Sequence, residues 1–400
     1  MPARIHFFFF DAGGGHRAAA TALQTIAERQ ERPWSVRLVN LQELLDAMDF
    51  FRRLTGIRSQ DCYNLLLRSG CTLGAAQLLK VLHAAIRLYH SKQVRLLREF
   101  WAADPPDMVV SLIPNFNRAL FEALRAVRPG APMVTILTDL ADYPPHFWIE
   151  RQPQWVICGT DHAVEQARRI GVPATQIRRV SGMILRPQFH EPVTIDRVAA
   201  RRRLNLDPDT PTGLVLFGGH GSGIMLDIVR RLQRIRRPLQ LICVCGRNET
   251  LARRLRQLTS RFPVHVEDFT TDIPYFMASS DFLIGKPGPG SISEAVAMNL
   301  PVIVERNAWT LPQERFNTDW VRDHGFGIVI PSMKGIAGTV EYLLEPGRLE
   351  RYRQAAARIV NRAVFEIPEI LAEILGSESA RAHEAASTRT LGRFGRASAE

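Results

Sequence analysis

Two stretches of this chain place glycines, a histidine and carboxylates where the pattern predicts that a strand hands over to a helix. There, free backbone N–H groups can meet an anionic or polar ligand. Near the start, Asp11 is followed by Gly13, Gly14 and Gly15 and then by His16. The dipole at a helix N-terminus disfavours a cationic imidazole, so His16 reads as a neutral base or hydrogen-bond partner for a hydroxyl group. The plainer role is a capping or packing histidine. Gly13, Gly15 and Ala18 also match the GxGxxA pattern of dinucleotide binding. That use wants an acidic residue ending the second strand, and Asn40 stands there instead.

The second stretch is GKPGPGSISEAVAMNLPVIV, from Gly285. It predicts a strand ending at Ile284, a Gly/Pro turn and a helix starting near Ser291, whose N-terminus offers N–H groups to a diphosphate. Lys286 adds a mobile positive charge. Glu294 is placed either to accept two hydrogen bonds from a ribose diol or to complete a capping box with Ser291, and the spacing fits both. Gly218, Gly219, Gly221 and Gly223 offer a second phosphate or sugar cradle. Thr138 and Asp139 end another apolar run. Gln313, Glu314 and Asn317 form a polar cluster suited to sugar hydroxyls. Asp11 and Asp139 are further base candidates, with loop-end capping as their alternative.

The elements that must position these residues follow from the apolar pattern. Short β-type runs alternate with longer amphipathic stretches, as in parallel α/β sheets. The predicted strands are 5–10, 36–39, 108–112, 133–137 and 155–158, then 213–217, 239–245, 264–266, 282–284, 302–305 and 327–330. The set restarts near residue 213, and both halves open with strand, glycine turn and helix. The fold class is therefore α/β, with two doubly wound, Rossmann-like domains facing each other across a cleft at the strands' carboxyl ends. The expected divisions are 1–185, 186–345, a C-terminal helical segment 346–375 and a disordered tail 376–400.

Composition sets the class: 46% apolar and 23% charged residues are globular values, with a net charge of +11. Five cysteines without a CxxC pair give no disulfide framework and no zinc site, and no metal or other cofactor is expected. Cys243 and Cys245 read as packing residues. No apolar run reaches the length of a membrane span, so the expectation is a cytoplasmic, peripheral protein. Residues 51–100 hold nine Lys or Arg against two acids. Lys80, His83, Arg87 and His90 fall on one helical face there, with Leu78, Leu82, Ala85, Ile86 and Tyr89 opposite. Lys80, Arg87 and Tyr89 are accordingly candidates for contact with an anionic membrane surface. An ordinary solvated helix is the alternative, and no recognition motif points to nucleic acid.

The motifs DAGGGHRAAATAL, DMVVSLIPNFN, TDL with His146 and Trp148, FGGHGSG and KPGPGSISEA occur in the order seen in monogalactosyldiacylglycerol synthases. From about residue 5 to 375 the chain resembles that family and its relatives, the bacterial diacylglycerol glucosyltransferases and, more distantly, the N-acetylglucosaminyltransferase of lipid II synthesis. The resemblance implies a GT-B fold and an inverting, metal-independent transfer from a UDP-hexose to diacylglycerol, with a last helix crossing back to the first domain. It places the acceptor at Gly14, Gly15, His16, His146 and Trp148. Arg186 would approach the donor phosphates, and Phe269 and Thr270 the uracil. Gly288, Pro289, Gly290, Ser291 and Ile292 would wrap the diphosphate. Glu294 would bind ribose, and Gln313, Glu314 and Asn317 would meet the sugar. Where the family often has a longer Gly-rich or GQE-type segment, this chain has TLPQERFN, which leaves galactose and glucose both open. His16 is favoured as base, with Asp11 or Asp139 orienting it or acting instead. The competing functions are transfer to another lipid such as a polyprenyl-linked precursor, nucleotide-sugar epimerisation on the same fold, and non-enzymatic lipid or nucleotide binding.

Overall fold

The computed structural model describes residues 2–11, 14–45, 83–84, 86–143, 147–191 and 195–377. His146, Lys80, most of the basic segment 51–100 and nearly all of the proposed tail lie outside them.

Two six-stranded, all-parallel sheets carry the molecule. The first has β1 (Ala3–Phe9), β2 (Trp34–Asn40), β3 (Met108–Ser111), β4 (Met133–Ile136), β5 (Trp155–Cys158) and β6 (Ile177–Arg179), in the order β2-β1-β3-β4-β5-β6. The second has β7 (Thr212–Leu216), β8 (Gln240–Val244), β9 (Val264–Glu267), β10 (Phe282–Gly285), β11 (Val302–Glu305) and β12 (Gly327–Ile330), in the order β12-β11-β10-β7-β8-β9. Helices cover both faces, which is why β3, β4, β7, β8 and β10 are buried at every residue and read as unbroken apolar runs. Cys243 and Cys245 pack in the core of the second sheet.

Strand order locates the site. In each sheet the chain leaves a central strand in one direction and later resumes on its other side, which opens a crevice beyond the carboxyl ends. The crevice falls between β1 and β3 in the first sheet and between β7 and β10 in the second. Every glycine turn picked out above follows one of these central strands.

The chain returns to the first domain later than expected. Tyr352 and Ala356 of helix Arg348–Ala357 still pack into the second domain's core. Only the helix over 363–377 buries Ala363, Val364, Ile367, Leu371 and Ile374 beneath the first sheet. Outgoing and returning segments are fastened together, since Asn361 donates to the Met183 carbonyl (2.9 Å) and Ser181 N–H donates to Glu366 (2.8 Å).

Candidate active site

On the first domain, Gly14 is the N-cap of helix Gly15–Arg29 in the left-handed region (φ 80°), where a side chain would be strained. His16 therefore sits in the first helical turn, half-buried. Its Nδ1 lies 3.0 Å from Thr138 Oγ1, at the end of β4, and the ring also hydrogen-bonds the Leu112 backbone after β3. Burial pushes its pKa down to about 4, so the imidazole is neutral and able to take a proton.

The partner is thus Thr138 rather than Asp11 or Asp139. Both oxygens of Asp11 are engaged by Arg17, and Asn40 donates to it as well (3.3 Å). Asp139 accepts from the Trp148 indole N–H (2.8 Å). Burial raises Asp139 to about 7, Trp148 opposes that rise, and the charges of Glu314 and Lys286 reach it from the second domain. Trp148 itself is fully buried, with its ring 5.8 Å from that of His16, so it braces His16 and Asp139 from behind.

On the second domain, helix Pro289–Ala297 begins two residues earlier than expected, with Gly288 as N-cap and Pro289 in the first turn, where its missing N–H costs nothing. Ser291 donates back to the Gly288 carbonyl (3.3 Å) and does not cap with Glu294. The capping-box alternative therefore fails, and the Glu294 carboxylate keeps one charged neighbour, Arg186 Nη2 at 4.0 Å. Burial lifts Glu294 to about 7, with Arg186 opposing. A half-buried carboxylate with so few partners is ready for hydroxyl donors from a ligand.

The surrounding loops bring further glycine turns and an aromatic ring to this end of the second sheet. Gly221 and Gly246 both have positive φ, and a Cβ on either would overlap the opposite backbone, at Cys245 and Gly219 respectively. Gly219, Gly223 and Gly290 have open space beside them. Phe269 is half-exposed with the Arg247 guanidinium 4.7 Å from its ring, while the Thr270 hydroxyl is turned to the Asp272 N–H (3.0 Å). Arg186 donates to the Thr271 carbonyl (3.1 Å), so it stands between Glu294 and this aromatic end and not over the helix N-terminus expected to take phosphates. Arg247 escaped the sequence reading; the Gly246 turn just before it was its signal.

Lys286 reaches Glu314 (3.3 Å), which is buried at the head of helix Arg315–His324. Buried Asn317 donates to the Pro287 carbonyl (2.8 Å) and leaves its own Oδ1 unpartnered, while Gln313 is half-buried on the turn Pro312–Glu314. Phe316 of the same segment stacks on His162 of the first domain at 4.3 Å and 14°, across the cleft.

In the 83–90 segment the two histidines are half-buried and turned to the first domain, while Arg87 is exposed. His83 bonds Asn115 Oδ1 (2.7 Å) and His90 bonds Glu122 (2.7 Å), beside a 740 Å³ cavity that Arg87 also lines. Leu88 is exposed as well (79%), and Lys92 covers the ring of Tyr89. Among the described residues no three His, Cys, Asp or Glu side chains gather as a metal cage, and no helix is long and apolar enough to cross a membrane.

The two Rossmann-like domains have the GT-B architecture, and residues 214–308 match the glycosyltransferase family 28 C-terminal domain. The chain is a glycosyltransferase, and over most of its length it resembles the monogalactosyldiacylglycerol synthases. It is 29% identical to the probable monogalactosyldiacylglycerol synthase 2 of Oryza sativa subsp. japonica, over 89% of this chain and 77% of that one. It is 28% identical to monogalactosyldiacylglycerol synthase 1 of Arabidopsis thaliana, over 94% and 71%. In fold it matches MurG of Acinetobacter baumannii (TM-score 0.62, 12% identity, 93% of this chain and 100% of that one). It also matches the UDP-GlcNAc 2-epimerase of Neisseria meningitidis (TM-score 0.57, 15% identity, 94% and 100%).

Proposed function

We propose that the chain transfers a hexosyl group, galactose or glucose, from its UDP-sugar to the free hydroxyl of diacylglycerol at a membrane surface, with inversion. The observation that carries this is the pairing, across one cleft, of neutral His16 fixed by Thr138 with the unsatisfied Glu294 beside a free helix N-terminus. The names of the plant relatives supply the acceptor and galactose. Solved neighbours of the same fold that hold UDP-glucose or UDP support the nucleotide.

In this mechanism the acceptor oxygen attacks the sugar's anomeric carbon while its proton passes to His16. The bond from that carbon to the diphosphate oxygen breaks, and UDP departs. The negative charge that develops is met by the N–H groups of Gly290 and Ser291 and by Lys286, which must leave Glu314 to reach it. Glu294 holds the ribose diol, Phe269 with Arg247 the uracil, and Gln313, Glu314 and Asn317 the sugar. A single displacement at an α-linked donor yields a β-glycoside.

The test is release of UDP from a panel of UDP-sugars with and without diacylglycerol in vesicles. Release that depends on the vesicles supports lipid transfer and names the hexose. Equal turnover without acceptor supports hydrolysis or epimerisation on this shared fold.

A further inference from the structure

Away from the crossover of the chain, the two domains meet ring on ring. His162, the second residue of helix Asp161–Ile170 in the first domain, lies flat on Phe316 of the second, with ring centroids 4.3 Å apart and planes 14° apart. Phe316 is half-buried without joining the apolar core of its own domain, and His162 is exposed. Asp319, one turn after Phe316, accepts from Arg306 and Arg322, so the contact is a stack of two rings and not an ion pair.

Each ring is carried by a segment that holds part of the candidate site. On the first domain, Thr160 caps the His162 helix, accepting from the Ala163 N–H (3.1 Å) and donating to the Leu140 carbonyl. Gln166, one turn after His162, clamps Asp142 at both backbone groups, accepting from its N–H (2.8 Å) and donating to its carbonyl (2.9 Å). The helix is therefore fixed to loop 138–142, whose Thr138 holds His16. On the second domain, Phe316 stands between Glu314, which meets Lys286 (3.3 Å), and Asn317, which donates to the Pro287 carbonyl (2.8 Å). Both grip the turn that opens helix Pro289–Ala297. Within a few residues, the stack thus joins the support of His16 to the polar cluster assigned to the sugar.

We propose that His162 and Phe316 are positioning residues: their stack holds segment 313–317 against the loop that supports His16, and so fixes the separation of acceptor and donor during transfer. The assignment of that segment to the sugar rests on the proposed function; the stack itself does not. A reaction across a cleft needs both sides held at one separation, and a misplacement of about 1 Å can cost about a hundredfold in rate.

The test is a double-mutant cycle of His162→Ala and Phe316→Leu in the full chain, with His162→Phe as the conservative variant. Each single change should lower kcat by about tenfold, since a stacked pair is worth about two- to tenfold in an equilibrium and misplacement adds to the loss. UDP affinity, read by calorimetry, should stay unchanged and show an intact second domain. The double variant should be no slower than the slower single one. His162→Phe should keep most of the wild-type rate, because a phenyl ring stacks as an imidazole does. Additive losses, an unchanged rate in His162→Ala, or a His162→Phe variant as slow as His162→Ala would each overturn the proposal. The contact is read separately from the NMR shift of the His162 Hε1 proton, which the Phe316 ring current displaces and Phe316→Leu should restore. A resonance that does not move overturns the proposal as well. That readout needs no turnover, and the cycle runs on whichever donor turnover the UDP-release panel finds, so failure of lipid transfer and failure of the stack are told apart.

Discussion

Replacing Glu294 by Gln should move stability and donor binding in opposite directions. In the unfolded chain this carboxyl releases its proton near 4.5, and in the folded protein burial holds the proton until about 7. Between those values the folded state binds more protons, so stability falls as pH rises from 4.5 to 7 and stays at the lower level above. The shift corresponds to at most about 3 kcal/mol, and the 22% of the side chain left exposed lowers the expected effect to about 1–2 kcal/mol. Glu294→Gln should therefore raise the urea midpoint at pH 8 and leave it nearly unchanged at pH 4.5. The same change should weaken UDP binding by roughly tenfold to a hundredfold, because hydrogen bonds from the ribose diol to a charged acceptor are worth about 1.5–3 kcal/mol. Calorimetry with UDP and with 2′,3′-dideoxy-UDP separates the contributions, since the penalty should vanish for the dideoxy ligand. A variant less stable than wild type at pH 8, or one that binds UDP as tightly, would refute the ribose assignment.

His16→Ala should lower kcat by about a hundredfold or more with UDP affinity unchanged, and Thr138→Val by roughly tenfold, through loss of orientation. With His16 near 4, its protonation should not limit kcat/KM until the pH is well below 6; a rate loss near pH 7 that survives Asp139→Asn and Glu294→Gln would contradict the base assignment. Gly221→Ala, at φ 58° against the Cys245 backbone, should cost about 2 kcal/mol or more in thermal unfolding, whereas Gly219→Ala should fold normally and lose donor binding, as it has open space on the ligand side. Asp281 is buried and accepts from Arg197 and Arg201 and from the Thr212 N–H, which hold its pKa below the usual range against burial. Asp281→Asn should destabilise the second domain by about 3 kcal/mol, measured by urea unfolding, by leaving Arg201 buried and unpaired.

The strand pattern was legible because parallel strands covered on both faces show as plain apolar runs, and most predicted ends fall within a residue of the observed ones. The strand β6 was missed for the converse reason: Ile177–Arg179 is a short edge strand with one buried residue. The glycine turns were legible because a left-handed φ or a close backbone approach leaves few other residue types, as at Gly14 and Gly221. Partnerships between distant loops were not. Nothing local says that Thr138 serves His16, that Arg17 occupies Asp11 or that Trp148 is sealed behind Asp139, since each depends on which strands are neighbours. Helical spacing grouped His83, Arg87 and His90 correctly but carries no sign of direction, and Asn115 and Glu122 turn the two histidines inward.

The most direct test of the central claim is to identify the product. Wild-type protein would be incubated with UDP-galactose or UDP-glucose and diacylglycerol vesicles, and the lipid phase extracted and read by NMR. The expected product is a hexosyl diacylglycerol with a β-anomeric linkage, absent with His16→Ala. Sugar confined to the water phase, as free hexose or an epimerised nucleotide, or an α-linked lipid, would contradict it.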